Sequence, residues 1–270
     1  MASPTIQELF DLTGRVALVT GGARNLGFDM ATAMAEAGAD VAVTSRKVEN
    51  ARASAQQIAQ DTGRRVIGLA CDVADESQVE QMVDAVLSEF GRLDILVNNA
   101  GNVVSTPDNA PLEKRPSDLW HNTINVNLHG VFYCSKHAVA KAMKSARQGV
   151  IINIGSTAGI VGKDRRVYQG TEMGGATIDY HAAKGAVINM TRDMAVYLAP
   201  DHIRVNCISP GGFFRNQPPA FVQAFCETIP MGRMGKDGKE MKGAVVFLAS
   251  EASSYMTGHN LLVDGGLTAW

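Results

Sequence analysis

Val16-Ala-Leu-Val-Thr-Gly-Gly-Ala-Arg-Asn-Leu-Gly27 decides the fold. Val16 to Thr20 is a short apolar run without polar alternation, as expected of a parallel strand buried on both faces. The segment Thr20 to Gly27 follows it directly and opens a helix. That context matters, because a glycine pattern outside a strand-turn-helix unit says little. Gly21 permits a tight turn, and Gly27 lets the helix pack close to the sheet. The helix N-terminus then offers free N–H groups and the positive end of its dipole to a pyrophosphate. An ordinary strand-helix turn is the alternative reading of this stretch taken alone.

The same rhythm continues along the chain. Further β-rich runs stand at Val41–Thr44, Val66–Ala70, Ile95–Asn98, Val150–Ile154, Arg204–Ile208 and Leu261–Val263. Helical patterns lie between them. From Asp75 to Phe90 the apolar residues Val79, Met82, Val83, Val86, Leu87 and Phe90 share one stripe. Asp75 and Gln78 resemble a capping box at its start, and Gly91 suits its stop. A second helix is expected near Met30–Ala37, ending at Gly38, and a third from Tyr180 to Leu198 ahead of Pro200. Alternating strands and helices imply an α/β fold: a Rossmann-like, doubly wound parallel sheet of about seven strands with helices on both faces. Residues 1–270 read as a single dinucleotide-binding domain, with an inserted glycine- and charge-rich loop at about 162–175.

Composition narrows the function. The 270 residues are 46% hydrophobic, enough for one sizeable core, and the formal net charge is −2, which argues against a nucleic-acid footprint. No apolar run is long enough to span a membrane. Met1–Asp11 lacks the pattern of a secretory signal, so a cytoplasmic location is expected. Cys71, Cys134, Cys207 and Cys226 are scattered and read as reduced thiols, and neither they nor the histidines have metal-site spacing. No metal is expected.

The end of the second strand bears on the choice of nicotinamide cofactor. An acidic residue there binds the adenosine ribose and repels a 2′-phosphate. This chain has Ser45 followed by Arg46, and Arg24 lies in the glycine loop. Guanidinium groups grip phosphate and stack on adenine. Arg24 and Arg46 are therefore expected to select NADP(H), against the alternative of two solvated arginines.

At this point the chain resembles the short-chain dehydrogenase/reductase family over Thr13–Gly266. Thr20–Gly27 matches the family's glycine loop. Asp72-Val73 matches the acid after the third strand, and Asn98-Asn-Ala-Gly101 the family's Asn-Asn-Ala-Gly element. Asn127 matches the helix asparagine and Ser156 the serine after Ile151–Gly155. Tyr180-His-Ala-Ala-Lys184 is the Tyr-x-x-x-Lys element, followed by Arg204-Val-Asn206, Pro210-Gly211 and Val263–Gly266. Tyr-x-x-x-Lys alone is unspecific; the ordered set is not. The resemblance implies Asn127, Ser156, Tyr180 and Lys184 as catalytic residues. It implies Gly21, Arg24, Asn25, Leu26, Gly27, Ser45, Arg46, Asp72, Val73, Asn99, Ala100, Gly101, Tyr180, Lys184, Pro210, Gly211 and Phe213 as cofactor contacts. Homotetramers are usual in the family.

The chemistry follows from the side chains. Positions i and i+4 share a helix face, so Tyr180 and Lys184 are neighbours. A nearby ammonium is expected to lower the phenol's pKa, letting Tyr180 exchange a proton with a carbonyl or alcohol oxygen. Ser156 is expected to hydrogen-bond that oxygen. By resemblance, Lys184 also holds the nicotinamide ribose and Asn127 anchors a proton-relaying water.

Three departures stand out. Asn25 replaces the loop's middle glycine, and asparagine tolerates positive φ. Arg215 replaces the threonine that often follows Pro-Gly. Ser156 and Tyr180 are 24 residues apart, roughly twice the family's usual gap. Tyr168 stands at the usual distance but is followed four residues later by Glu172, so it is set aside as a decoy. An insertion between two catalytic residues is expected beside the substrate, as a lid. There Arg165, Arg166 and Arg215 are candidate anchors for a carboxylate. The expected substrate is a sugar acid, sugar or polyol, similar to the gluconate dehydrogenase branch. A 3-oxoacyl-thioester reductase and a non-catalytic dinucleotide sensor remain the alternatives.

Overall fold

A computed structural model describes residues 3–103 and 112–270. Seven strands form one parallel sheet: β1 (Val16–Val19), β2 (Asp40–Ser45), β3 (Val66–Ala70), β4 (Ile95–Asn98), β5 (Gly149–Ile154), β6 (Ile203–Pro210) and β7 (Asn260–Val263). Their spatial order is β3-β2-β1-β4-β5-β6-β7. The order reverses between β1 and β4, so the crevice beyond their C-terminal ends is where this architecture takes a ligand. β1 and β4 are buried at every position, as their unbroken apolar runs require.

The helices are α1 (Ile6–Phe10), α2 (Asn25–Glu36), α3 (Val48–Thr62), α4 (Glu76–Phe90), α5 (Ser117–Ile124), α6 (Gly130–Ala138), α7 (Lys144–Ala146), α8 (Ile178–Leu198), α9 (Pro219–Glu227) and α10 (Glu240–Ala249). Two cores form, one on each face of the sheet. Met30, Met34, Ile58, Val245 and Leu248 pack on one side. Val79, Val83, Cys134, Met143, Ala195 and Leu198 pack on the other. Of the cysteines, Cys71, Cys134 and Cys207 are buried, and all four are free thiols.

α2 begins at Asn25, earlier than the Met30 expected from apolar periodicity. Its first turn is set by the glycine loop and carries little apolar signal. The capping pattern at α4 is also different. Asp75 accepts from Ser77 N and Gln78 N, but the Gln78 side-chain oxygen takes the N–H of Asp72 rather than that of Asp75, while its Nε2 donates to Asp75 Oδ2 at 2.9 Å. Gln78 thereby ties the β3 turn to α4.

Between α5 and α7 the helix runs without interruption, but two turns, Asn125–His129 and Val139–Met143, are π-helical. Such widened turns re-aim side chains and often mark functional positions. The first contains Asn127.

The insertion is ordered and has a small core of its own. Arg166–Tyr168 form a 3-10 turn. Val167 is buried with Phe221 and Met234, and the Tyr168 ring lies 5.1 Å from that of Phe221 on α9. Lys163 lies over the Tyr168 ring and donates to the Gly174 carbonyl.

Candidate active site

The glycine turn is held open by side chains from neighbouring strands. Thr20 Oγ1 accepts the N–H groups of Asn99 and Ala100, each at 3.0 Å. Asn99 Nδ2 donates to the carbonyls of Thr20 and Gly21 at 2.8 and 3.1 Å. Gly21 has φ 62, and Asn25 has φ 51, so asparagine supplies the left-handed position where the family carries glycine. A Cβ on Gly27 would lie 2.3 Å from the Gly21 carbonyl oxygen and 2.4 Å from Asn99 Nδ2. The close approach at Gly27 is therefore to the turn and to Asn99, where the sequence suggested packing onto the sheet.

This turn opens on a cleft of about 930 Å³. Of the expected cofactor residues, Gly21, Arg24, Asn25, Leu26, Gly27, Ser45, Arg46, Asp72, Val73, Asn99, Ala100, Gly101, Tyr180, Lys184 and Pro210 all line it. Two do not. Gly211 packs against Asp264, and its N–H donates to the Val263 carbonyl. Phe213 is buried, with its side chain in the core beside α10 and a backbone bridge to Gly235. Its apolar ring is absorbed by packing, which removes it as a side-chain contact in the cleft. Sequence reasoning missed Lys47 and Asn50 at the adenosine end, and Val103 beyond Gly101, all of which line the cleft. Lys47 was readable as a second cation after Ser45.

At the other end of the cleft, Lys184 is 3% exposed and its Nζ donates to the Ile154 carbonyl at 2.7 Å. Burial pushes its pKa down to about 8. Gly159 makes this possible, because a Cβ there would meet the Lys184 backbone at 2.6 Å. The 3-10 turn Thr157–Gly159, capped by Ser156, thus lies directly on α8. Ser156 Oγ accepts from Ala158 N and lies close enough to the Tyr180 hydroxyl to lower its pKa.

The Tyr180 phenol does not behave as the sequence led us to expect. Burial raises its pKa, and the hydrogen bond with Ser156 only partly offsets this. The ammonium of Lys184 lies 5.6 Å from the ring centroid and is anchored to Ile154. Desolvation of the phenolate therefore outweighs the neighbouring charge.

Asn127 is fully buried. Its Nδ2 donates to Asn102 O and Asn102 Oδ1, both at 2.8 Å, and to Thr123 O at 2.9 Å. The widened turn directs this amide inward, towards the segment that follows β4.

The three arginines of the substrate expectation separate. Arg215 lines the cleft and makes a two-pronged ion pair with Asp237, at 2.9 and 3.0 Å. Arg165 and Arg166 do not line it. Arg166 is solvent-exposed and paired with Asp164 at 2.7 Å, which neutralises it locally. The insertion turns both outward because Val167 and Tyr168 are the residues that pack onto α9. Tyr168 is likewise spent on packing, away from the cleft lining.

Comparison with known proteins agrees with this geometry. The family model described as enoyl-(acyl carrier protein) reductase matches residues 21–268. D-threitol dehydrogenase of Mycolicibacterium smegmatis is 38% identical over 266 residues, covering 96% of this chain and 95% of the relative. The 3-oxoacyl-[acyl-carrier-protein] reductase of Chlamydia trachomatis is 35% identical, covering 95% and 98%. A crystal structure of gluconate 5-dehydrogenase from Burkholderia cenocepacia, in complex with NADP and tartrate, superposes with a TM-score of 0.88 at 36% identity, over 98% of this chain and 100% of that one. With its seven-stranded parallel sheet and its ordered motifs, the chain belongs to the short-chain dehydrogenase/reductase family and is an oxidoreductase that uses a nicotinamide cofactor on hydroxyl or carbonyl substrates.

Proposed function

We propose that this protein is an NADP(H)-preferring dehydrogenase/reductase acting on a secondary alcohol or ketone of a sugar acid, sugar or polyol. One observation carries the reading. Tyr180 and Lys184, with the Lys184 ammonium 5.6 Å from the phenol ring, line the same cleft as the glycine turn.

The cleft fits a dinucleotide. A Cβ at Gly27 would fill the cradle at the α2 N-terminus, where N–H groups meet a pyrophosphate. Arg24, at the N-cap of α2, and Arg46 and Lys47, which follow β2, are exposed and make no ion pair among the described residues. The residue ending β2 is Ser45, with no carboxylate to repel a 2′-phosphate. When bound, the nicotinamide supplies or accepts the hydride.

The chain's own residues manage the proton. In the reduction direction Tyr180 donates its phenolic proton to the substrate oxygen, and its raised pKa keeps that proton in place until needed. Ser156 donates a hydrogen bond to the same oxygen. Lys184 spends one of its three N–H donors on Ile154. The remaining two serve the cofactor ribose and the return of a proton towards Tyr180. Asn127 holds the Asn102 segment at the edge of the cleft. Of the three arginines Arg215 alone lines the cleft, and there an acidic substrate would share its guanidinium with Asp237.

A 3-oxoacyl-thioester reductase is the second reading, favoured by the Chlamydia relative. Nicotinamide absorbance over a panel of keto-sugar acids, ketoses and acyl thioesters, with NADPH and NADH in parallel, tests both. Turnover of thioesters alone would overturn the sugar reading. Exposed Phe132, Val196 and Tyr197 on α6 and α8 support assembly through these helices into a homotetramer, which light scattering checks. A cytoplasmic location accompanies the reading; no described helix is long and apolar enough to cross a membrane.

A further inference from the structure

Asp179 immediately precedes Tyr180 in the first turn of α8 and is fully buried. Arg115, just beyond the 3-10 turn Leu112–Lys114, donates from Nη2 to Asp179 Oδ2 at 2.7 Å. The two side chains are 5% and 0% exposed. A pair enclosed this deeply adds little net stability, because desolvation cancels most of the attraction. Its value lies in geometry: two charges with no solvent to accept them hold each other in one arrangement.

A second connection, made by packing, leads from the same turn of α8 to the other side of the site. Burial raises the Asp179 pKa, but the neighbouring Thr123 hydroxyl, the Arg115 guanidinium and the Thr177 hydroxyl outweigh it and hold the carboxyl below its ordinary value. Thr123 is fully buried on α5, and its carbonyl accepts from Asn127 Nδ2 at 2.9 Å. Asp179 is therefore joined through a chain neighbour to Tyr180, and the packing of α5 on α8 sets it beside the turn whose Thr123 carbonyl holds Asn127. The segments that meet here come from separate parts of the chain, and α5 packs against α8 at this level.

We propose that Arg115 and Asp179 are positioning residues, a buried clamp that sets the first turn of α8 against α5 and so fixes Tyr180 and Asn127 relative to each other. The proposal rests on the reading of Tyr180 as the proton-transfer group. Reactive groups tolerate only about 0.5 Å of displacement, so a small rotation of that first turn is enough to slow turnover. Lys184 lies one turn deeper and is anchored independently by the Ile154 carbonyl. Loosening the clamp therefore affects proton transfer and spares cofactor binding.

The test compares Asp179→Asn, Arg115→Met, the double variant and Thr123→Val in the full chain. Four readouts are taken: kcat at saturation, Kd for NADPH by nucleotide fluorescence, Tm, and the ultraviolet titration of the Tyr180 phenol against Tyr180→Phe. Each single charge variant is expected to lose at least about tenfold in kcat, with Kd changed by less than roughly twofold and the phenol titration displaced. The double variant, with no stranded charge, regains Tm but not kcat. Thr123→Val, which removes one hydroxyl, keeps Tm and loses kcat several-fold, so the idea stays testable if the single charge variants do not fold. A double variant with wild-type kcat and an unchanged phenol titration overturns the clamp. Tyr180→Phe with normal turnover would instead overturn the assignment of the tyrosine, a separate result.

Discussion

The Nζ of Lys184 lies 5.6 Å from the centroid of the Tyr180 ring while donating to the Ile154 carbonyl at 2.7 Å. The lysine is held by the sheet, and the tyrosine is positioned above it by helical spacing. The two pKa shifts share one cause. Burial disfavours the charged form of each, lowering the lysine and raising the phenol.

Tyr180→Phe keeps the ring and removes the proton. Turnover is expected to fall by about 100-fold or more, within the usual range for a lost acid-base group. Kd for NADPH, read by fluorescence quenching, is expected to stay near wild type. A variant turning over at near-normal rate would refute the assignment.

Lys184 carries a pH signature. Its folded-state pKa of about 8 lies below the ordinary lysine value of 10.5. Below about 8 it is charged in both states, and the folded protein bears the full cost of burying the charge. As pH rises towards 10.5, the folded state has already released the proton while the unfolded state still binds it, so stability rises and the cost is relieved. Over that window Lys184 should contribute a gain on the order of 3 kcal/mol. Urea titrations of the wild type and Lys184→Met from pH 7 to about 10.5 check this. The stability difference between the two proteins should shift in favour of the wild type as pH rises. A pH-independent difference would contradict the shifted lysine.

Cofactor choice rests on cations at the end of β2. Arg46→Ala is expected to lower kcat/KM for NADPH by about 10- to 100-fold, the worth of a charged hydrogen bond to phosphate, and to leave NADH nearly unchanged. Adding Ser45→Asp should reverse the preference. Parallel initial rates with both cofactors decide it, and equal losses for the two would remove Arg46 as the phosphate reader.

Gly27→Ala places a methyl 2.3 Å from the Gly21 carbonyl oxygen. Relief requires the turn to move, so stability should drop by about 1–3 kcal/mol and NADPH binding should weaken sharply. Calorimetry with and without NADPH measures both. An unchanged Kd would mean that the turn does not contact the cofactor.

Tyr168 supplies the contrast. Its ring packs on Phe221, so Tyr168→Phe should leave kcat within about twofold of wild type, whereas Tyr168→Ala should cost about 3 kcal/mol of stability. Loss of turnover in Tyr168→Phe, with Tm preserved, would reopen the choice between the two tyrosines.

Much of this protein is legible from the sequence. Short β-rich runs, most of them without polar alternation, identify the seven strands within a residue or two at their ends, because a central parallel strand covered on both faces, such as β1 or β4, has no polar side to hide. The glycine turn, Ser45-Arg46 and Tyr180–Lys184 are local patterns whose spacing fixes which groups face together. Asn25 at φ 51 belongs here too, since its tolerance of that conformation is intrinsic to the residue.

What only the folded chain decided depends on packing between distant segments. Periodicity does not reveal that Arg166 turns out to Asp164, that Phe213 is taken into the core, or that Arg115 reaches Asp179 across 64 residues of chain. Nor does i,i+4 spacing reveal that burial, not the ammonium, governs the Tyr180 phenol. A side chain's partners are set by which surfaces exclude water together, and that choice is made by the whole fold, not by neighbours along the chain.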